Sequence, residues 1–150
     1  MTWGWPLASL HVRARPESGL WTFAHVEVDD NVALRITAGG TWRYSDSCSA
    51  TPDGDQASLL HRSFMLYGGA PVAALIGKVG GSTAGWNDGV PFLAGSFAIV
   101  EVAHGGPLFL TINDEYNGMA NNHGTLCVKV WSRPVAPRPA ESEPPASTAK

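Results

Sequence analysis

Leu108-Phe109-Leu110-Thr111-Ile112-Asn113 and Thr125-Leu126-Cys127-Val128-Lys129-Val130 are two runs of period two, separated by Asp114-Glu115-Tyr116-Asn117-Gly118-Met119-Ala120-Asn121-Asn122-His123-Gly124. Such alternation marks half-buried strands of antiparallel sheets, because successive side chains point to opposite faces. The same period recurs upstream. Trp21 and Phe23 alternate with Thr22 and Ala24, and Val32, Leu34 and Ile36 alternate with Ala33, Arg35 and Thr37. Val72 to Val79 is more continuously apolar and reads as a central strand, and Phe97 to Val102 is a further strand. Turn chemistry separates the runs at Asp29-Asp30-Asn31, Ala38-Gly39-Gly40, Gly80-Gly81-Ser82, Asn87-Asp88-Gly89 and His104-Gly105-Gly106-Pro107. Only Gln56 to Leu66 leaves room for a short helix. Several short strands at close spacing predict an all-β fold, a sandwich or jelly roll of two antiparallel sheets.

The bulk numbers agree. With 150 residues, 44% of them hydrophobic, the chain fits one domain that needs no metal or disulfide to bury a core. Gly at 17 and Pro at 11 favour turns and short strands over long helices. A net charge of -3, with no basic cluster beyond the neighbours Arg13 and Arg15, argues against nucleic acid as a partner. No apolar run approaches the length of a membrane span. Met1 to Leu7 lacks the basic start and apolar stretch of a signal peptide, so the default expectation is the cytoplasm, with non-classical export left open. Cys48 and Cys127 make no disulfide framework and read as free thiols in a reduced compartment. Residues 133–150 are rich in Pro, Ala and Ser without apolar periodicity. The expected organisation is one domain over 1–131 and a disordered tail over 132–150.

The loop between the first two runs concentrates oxygen donors: Asp114, Glu115, Asn117, Asn121 and Asn122. Such a set suits a hard cation such as calcium, which takes about 6–8 oxygen ligands. The competing reading is a polar hairpin turn, since Asn, Asp and Gly accept unusual backbone angles. The loop is longer than a tight turn needs. One firm negative charge, Asp114, with neutral oxygens from Asn121 and Asn122, implies modest calcium affinity. Catalytic signals are weak. None of His11, His25, His61, His104 and His123 lies in a nucleophile motif, and there is no Gly-x-Ser-x-Gly, His-Glu-x-x-His or phosphate-cradling glycine loop. Cys48, His61, His123 and Cys127 match no standard zinc spacing. The chain reads as a non-enzyme. Trp21 and Trp42 fall in strands and read as structural, whereas Trp86, in a glycine-rich loop, is the tryptophan best placed to meet a ligand.

The segment Leu108 to Val130 resembles the calcium and sugar loop of the PA-I-like galactophilic lectins of bacteria, where an Asn-Asp opening and an Asn-Asn pair are separated by a loop of this length. Ala38-Gly39-Gly40-Thr41-Trp42-Arg43-Tyr44 is similar to the family's first calcium-facing segment. Asp55-Gln56 followed by His61 is similar to its Asp-Gln segment on the sugar side. Ala74 to Gly80 looks like its central strand, and Val12 to Gly19 like its opening hairpin. The likeness covers most of residues 10–131 in the same order. It implies a jelly-roll β-sandwich, galactose-binding-domain-like, holding one calcium ion through the side chains of Asp114, Asn121 and Asn122 and the carbonyls of Tyr44 and Gly118. Two neighbouring hydroxyls of a galactose-like saccharide or glycoconjugate would complete the shell. Asp114, Asn121, Gln56 and the Glu115 backbone would orient the sugar. Family lectins often associate, so a homo-oligomer is a further expectation. The departures are equally specific. Where the family carries a His-Pro pair, this chain has Asp53-Gly54, so Asp53 would meet the sugar as an acceptor. Glu115 replaces a small apolar residue. A non-catalytic β-sandwich interaction module that has lost sugar recognition is therefore the alternative.

Overall fold

The computed structural model describes residues 3–55 and 65–136. The segment Gln56 to Leu66, left open to a helix, falls almost wholly outside that set. The described residues form eleven strands and a single 3-10 turn, Met119–Asn121. One sheet contains β1 (Ala8–Arg13), β3 (Val32–Gly39), β4 (Trp42–Arg43), β5 (Ser49–Ala50), β9 (Phe97–Val102) and β11 (His123–Pro134). The other contains β2 (Thr22–Val28), β6 (Asp53–Asp55), β7 (Val72–Val79), β8 (Val90–Leu93) and β10 (Gly106–Ile112). Every strand pair is antiparallel. This is the two-sheet jelly-roll sandwich that period two predicts. Among the described residues no helix is long and apolar enough to cross a membrane.

The core lies between the sheets. Val12, Leu34, Ile36, Leu126 and Val128 meet Leu75, Leu108, Leu110 and Ile112 in one buried cluster. β7 is buried along its whole length, as its continuous apolar run predicts, with β10 on one side and β6 and β8 on the other. β10 differs from expectation. Leu108 to Ile112 is buried on both faces rather than half-buried. Its outer face is covered because the chain after β1 and the loop after β7 fold over it. Leu20 and Trp21 donate their N–H groups to the Thr83 carbonyl, and Trp21 Nε1 donates to the Gly85 carbonyl at 2.8 Å. Lys78 Nζ lies 4.6 Å from the centre of the Trp21 ring and 5.3 Å from that of Phe109.

The opening hairpin expected over Val12 to Gly19 is not one. β1 pairs with β11 in the first sheet and β2 pairs with β10 in the second. The Ala14 N–H extends the β1–β11 ladder to the Gly124 carbonyl at 2.9 Å before the chain crosses over. β11 continues to Pro134, three residues past Trp131, because Val32 and Ala33 of β3 give it partners that far.

Candidate functional site

The loop from Asn113 to Asn122 joins β10 of one sheet to β11 of the other, so it is an arch between sheets and not a hairpin turn. That geometry turns part of the loop into the sandwich. Asn113, the first residue, is a plug. Its Nδ2 donates to the carbonyls of Tyr67 (2.8 Å), Ala70 (3.0 Å) and Pro71 (3.0 Å), and its Oδ1 accepts from the Tyr67 N–H at 3.0 Å. The Leu66 N–H donates to the Asp114 carbonyl at 3.0 Å. These bonds fix the backbone that carries the Asp114 side chain inward.

Asp114 is 3% exposed and Asn122 1%. Asp114 Oδ1 accepts from the Glu115 N–H at 2.7 Å. Asn122 Nδ2 donates to the Ala14 carbonyl at 2.9 Å. Among the described residues four buried side-chain polar atoms lack a hydrogen-bond partner, and two of them are Asp114 Oδ2 and Asn122 Oδ1. Buried oxygens are normally satisfied, so two orphans on one arch need an explanation. Burial pushes the Asp114 carboxyl up from its ordinary range. The Glu115 amide and the Asn122 side chain oppose that shift, and the Glu115 charge adds to it.

The 3-10 turn Met119–Asn121 sets the two asparagines apart. Met119 is buried and anchors the turn, its carbonyl accepts from the Asn122 N–H at 3.1 Å, and Asn121 stays exposed while Asn122 points in. Gly118 lies just before it. A Cβ there would stand 3.8 Å from Asp114 Oδ1, which places the Gly118 backbone beside the carboxylate.

Register brings β4 beside the end of the arch. β3 pairs with β11 as far as Gly39 opposite Cys127, and β4 resumes the same register with Trp42 opposite Gly124 and Arg43 opposite His123. The pairing ends there, and Tyr44 is the first residue beyond it. Only glycine suits position 124, where φ is +98° and a Cβ would stand 2.9 Å from Trp42 Cα. The Tyr44 N–H donates to the Cys48 carbonyl at 3.1 Å, and its hydroxyl donates to the Asp55 carboxylate. Burial, then that carboxylate, push the hydroxyl above its ordinary range.

The structure thus gathers Asp114, Gly118 and Asn122, with Asn121 exposed at the rim and Tyr44 one residue past the paired part of β4. The expected sugar contacts fare differently. Asp53 uses both carboxylate oxygens on Ser96, accepting from its N–H at 2.8 Å and its hydroxyl at 3.0 Å, and so braces the turn between β8 and β9. The Glu115 amide is engaged by Asp114. Gln56 and His61 lie outside the described residues. Asn117 is an exposed turn residue. Cys48 and Cys127 are both free thiols. No three His, Cys, Asp or Glu side chains gather into a metal cluster among the described residues. The arch instead offers a carboxylate with amide and backbone oxygens, a hard donor set that fits calcium and not a soft metal.

Trp86 stands out in the sequence as the tryptophan placed to meet a ligand, but its partner and the device that holds its loop do not. Trp86 stacks on Tyr116 of the arch, with ring centres 5.4 Å apart and planes at 21°. Lys78, 1% exposed, pairs with Asp88 and donates to the Gly85 carbonyl at 3.0 Å, which pins the Trp86 loop.

No protein-family model and no curated protein matches the sequence. Among solved structures the chain is similar to the N-terminal domain of EclA, described as a PllA-like lectin, with a TM-score of 0.61 and 19% identity over 85% of this chain and 98% of that chain. At this identity the likeness shows a shared fold: the two-sheet sandwich of this chain is the architecture of a lectin domain.

Proposed function

We propose that the protein is a calcium-dependent carbohydrate-binding lectin that recognises a galactose-like saccharide through a vicinal diol. The observation that carries this reading is the pair of buried, unpartnered oxygens Asp114 Oδ2 and Asn122 Oδ1. The ion would be held by the side chains of Asp114, Asn121 and Asn122 and the carbonyls of Tyr44 and Gly118. Bound calcium supplies coordination positions that two neighbouring sugar hydroxyls can take from water with little strain. The residues do the rest. Asp114 brings the negative charge, and Asn113 and Leu66 hold its backbone. Asn121, exposed at the rim, can hydrogen-bond the sugar. Asp53 is committed to Ser96 and the Glu115 N–H to Asp114, so of the sugar contacts that the resemblance implies, Asp114, Asn121 and Gln56 remain. Binding, not catalysis, is the activity.

The test is thermal melting and calorimetry with calcium, with chelator, and with galactose and its glycosides. A rise in melting temperature with calcium and a calcium-dependent heat with sugar are expected. No calcium binding at millimolar ion would sink the reading.

One observation favours the second reading, a calcium-stabilised interaction module without sugar recognition. Where the resembling family meets the sugar with a histidine, Asp53 is spent on Ser96. A glycan array separates the two: a protein that melts higher with calcium but binds no glycan is the module.

A further inference from the structure

Trp86 and Tyr116 form an exposed aromatic wall. Their rings stack at 5.4 Å and 21°, and Trp86 is still 49% exposed and Tyr116 37%. Burying these faces against solvent-excluding neighbours would stabilise the apo protein more than leaving them wet. Tyr116 stands two residues after Asp114 on the arch, so the wall and the candidate cation site share one backbone. The wall is also rigid. Trp86 follows Gly85, whose carbonyl accepts from both Trp21 Nε1 and Lys78 Nζ, and Asp88 two residues later pairs with the same lysine. Beside it lies a cavity of about 230 Å³ lined by Trp86, Leu66, Asn87, Asp88 and Pro91. That is below the roughly 300 Å³ at which pockets for whole drug-sized ligands begin, and it suits a single ring. Its chemistry is mixed: an aromatic face for apolar C–H groups and the Asn87 amide for hydroxyls, while the Asp88 carboxylate is held by Lys78 and Ser82.

We infer that Trp86 and Tyr116 form a second saccharide subsite, which receives the pyranose ring linked to the sugar held at the arch. The protein then prefers a disaccharide or longer glycan to a monosaccharide. A pyranose has one face of C–H groups that lies flat on an aromatic ring, and the rigid wall offers that ring without an ordering cost. This subsite rests on the lectin reading above, because the first ring must be placed by the arch.

The test is calorimetry in calcium on the full chain, with methyl galactoside and a panel of galactose-terminated disaccharides of different linkage. Wild type is expected to bind at least one disaccharide about tenfold more tightly than the methyl glycoside. Trp86→Ala should keep the methyl glycoside affinity and lose that gain, and Trp86→Phe should keep most of it. Tryptophan fluorescence should respond to the disaccharide and much less to the methyl glycoside, and the difference should vanish in Trp86→Ala. Equal preference in wild type and Trp86→Ala, with methyl glycoside bound by both, overturns the subsite alone. Absence of any sugar binding by wild type overturns the lectin reading and the subsite with it.

Discussion

The indole Nε1 of Trp42 donates to the Ala73 carbonyl across 2.8 Å, a buried bond that ties β4 of one sheet to β7 of the other. Both residues are held in place from elsewhere. Ala73 has φ +67°, an uncommon conformation for alanine, and its N–H donates to the Asn113 carbonyl at 2.7 Å. Trp42 is followed two residues later by Tyr44. The bond therefore joins the two backbones that supply the site. Trp42→Phe keeps the aromatic bulk and leaves the Ala73 carbonyl unpaired, so it should cost about 1–3 kcal/mol, measured from the urea midpoint. An unchanged midpoint would mean that the bond contributes nothing net.

Asp114 should govern both the calcium response and part of the pH response. The folded state holds its carboxyl proton more tightly than the unfolded chain does. Its contribution to the cation-free protein is therefore full at low pH and is lost as pH rises through the raised value. Asp114→Asn should raise the melting temperature of the cation-free protein at pH 7 and abolish the rise caused by calcium. At an ion concentration a hundred times Kd that rise corresponds to about 2.7 kcal/mol, or roughly 8–10 °C for a domain of this size. A calcium-induced rise that survives in Asp114→Asn would place the ion elsewhere.

Asp88, paired with Lys78, titrates in the opposite sense. The lysine holds the Asp88 carboxyl below its ordinary range. That contribution is present above the ordinary carboxylate range and is lost as pH falls through the lowered value. Lys78→Met should flatten the acid limb of the stability profile and free the loop that carries Trp86. Near-ultraviolet circular dichroism should weaken while the far-ultraviolet spectrum stays. An acid limb identical to wild type would show that the pair does not matter to folding.

Two glycines near the site should behave differently. Gly118 has φ −115° and a Cβ there meets nothing closer than Glu115 Cβ at 3.4 Å. Gly118→Ala should change stability by no more than about 0.5 kcal/mol and leave calcium binding intact, since only a backbone oxygen is asked of it. Gly124→Ala collides with Trp42 and demands a positive φ, so it should cost roughly 1–3 kcal/mol. It should also weaken calcium binding by displacing β4. Equal stabilities for the two variants, by chemical denaturation, would contradict this.

Period two was legible because it follows from strand geometry alone: β3, β7, β9, β10 and β11 all cover runs that alternate or stay apolar in the sequence. The arch was legible as chemistry, because Asp114 and Asn122 are unusual together. Its path was not. Whether Ile112 and His123 continue into one sheet or two depends on which strands pair with them, and those lie far away in sequence. The burial of Phe109 was hidden for the same reason, since Lys78 and Phe23 lie against its ring. Asn113 reads as the outward polar end of a strand run, and only the three carbonyls around its Nδ2 reveal a plug. Tyr116 had no spacing signal at all, because its partner Trp86 is reached through space across two connections.

The shared register of β3 and β4 along β11 makes the site a matter of counting. Chain length between Gly39 and Trp42 meters Trp42 and Arg43 against Gly124 and His123, and with them the start of the Tyr44 bend, in steps of about 3.3 Å. Removing one residue there would carry the Tyr44 carbonyl past the arch and turn it to the opposite edge, whatever the residue was. Composition in that stretch can drift and the site survives; its length cannot. The loop before Trp86 has no such ruler, and keeps its place through Lys78, Asp88 and the bonds that Leu20 and Trp21 make to it.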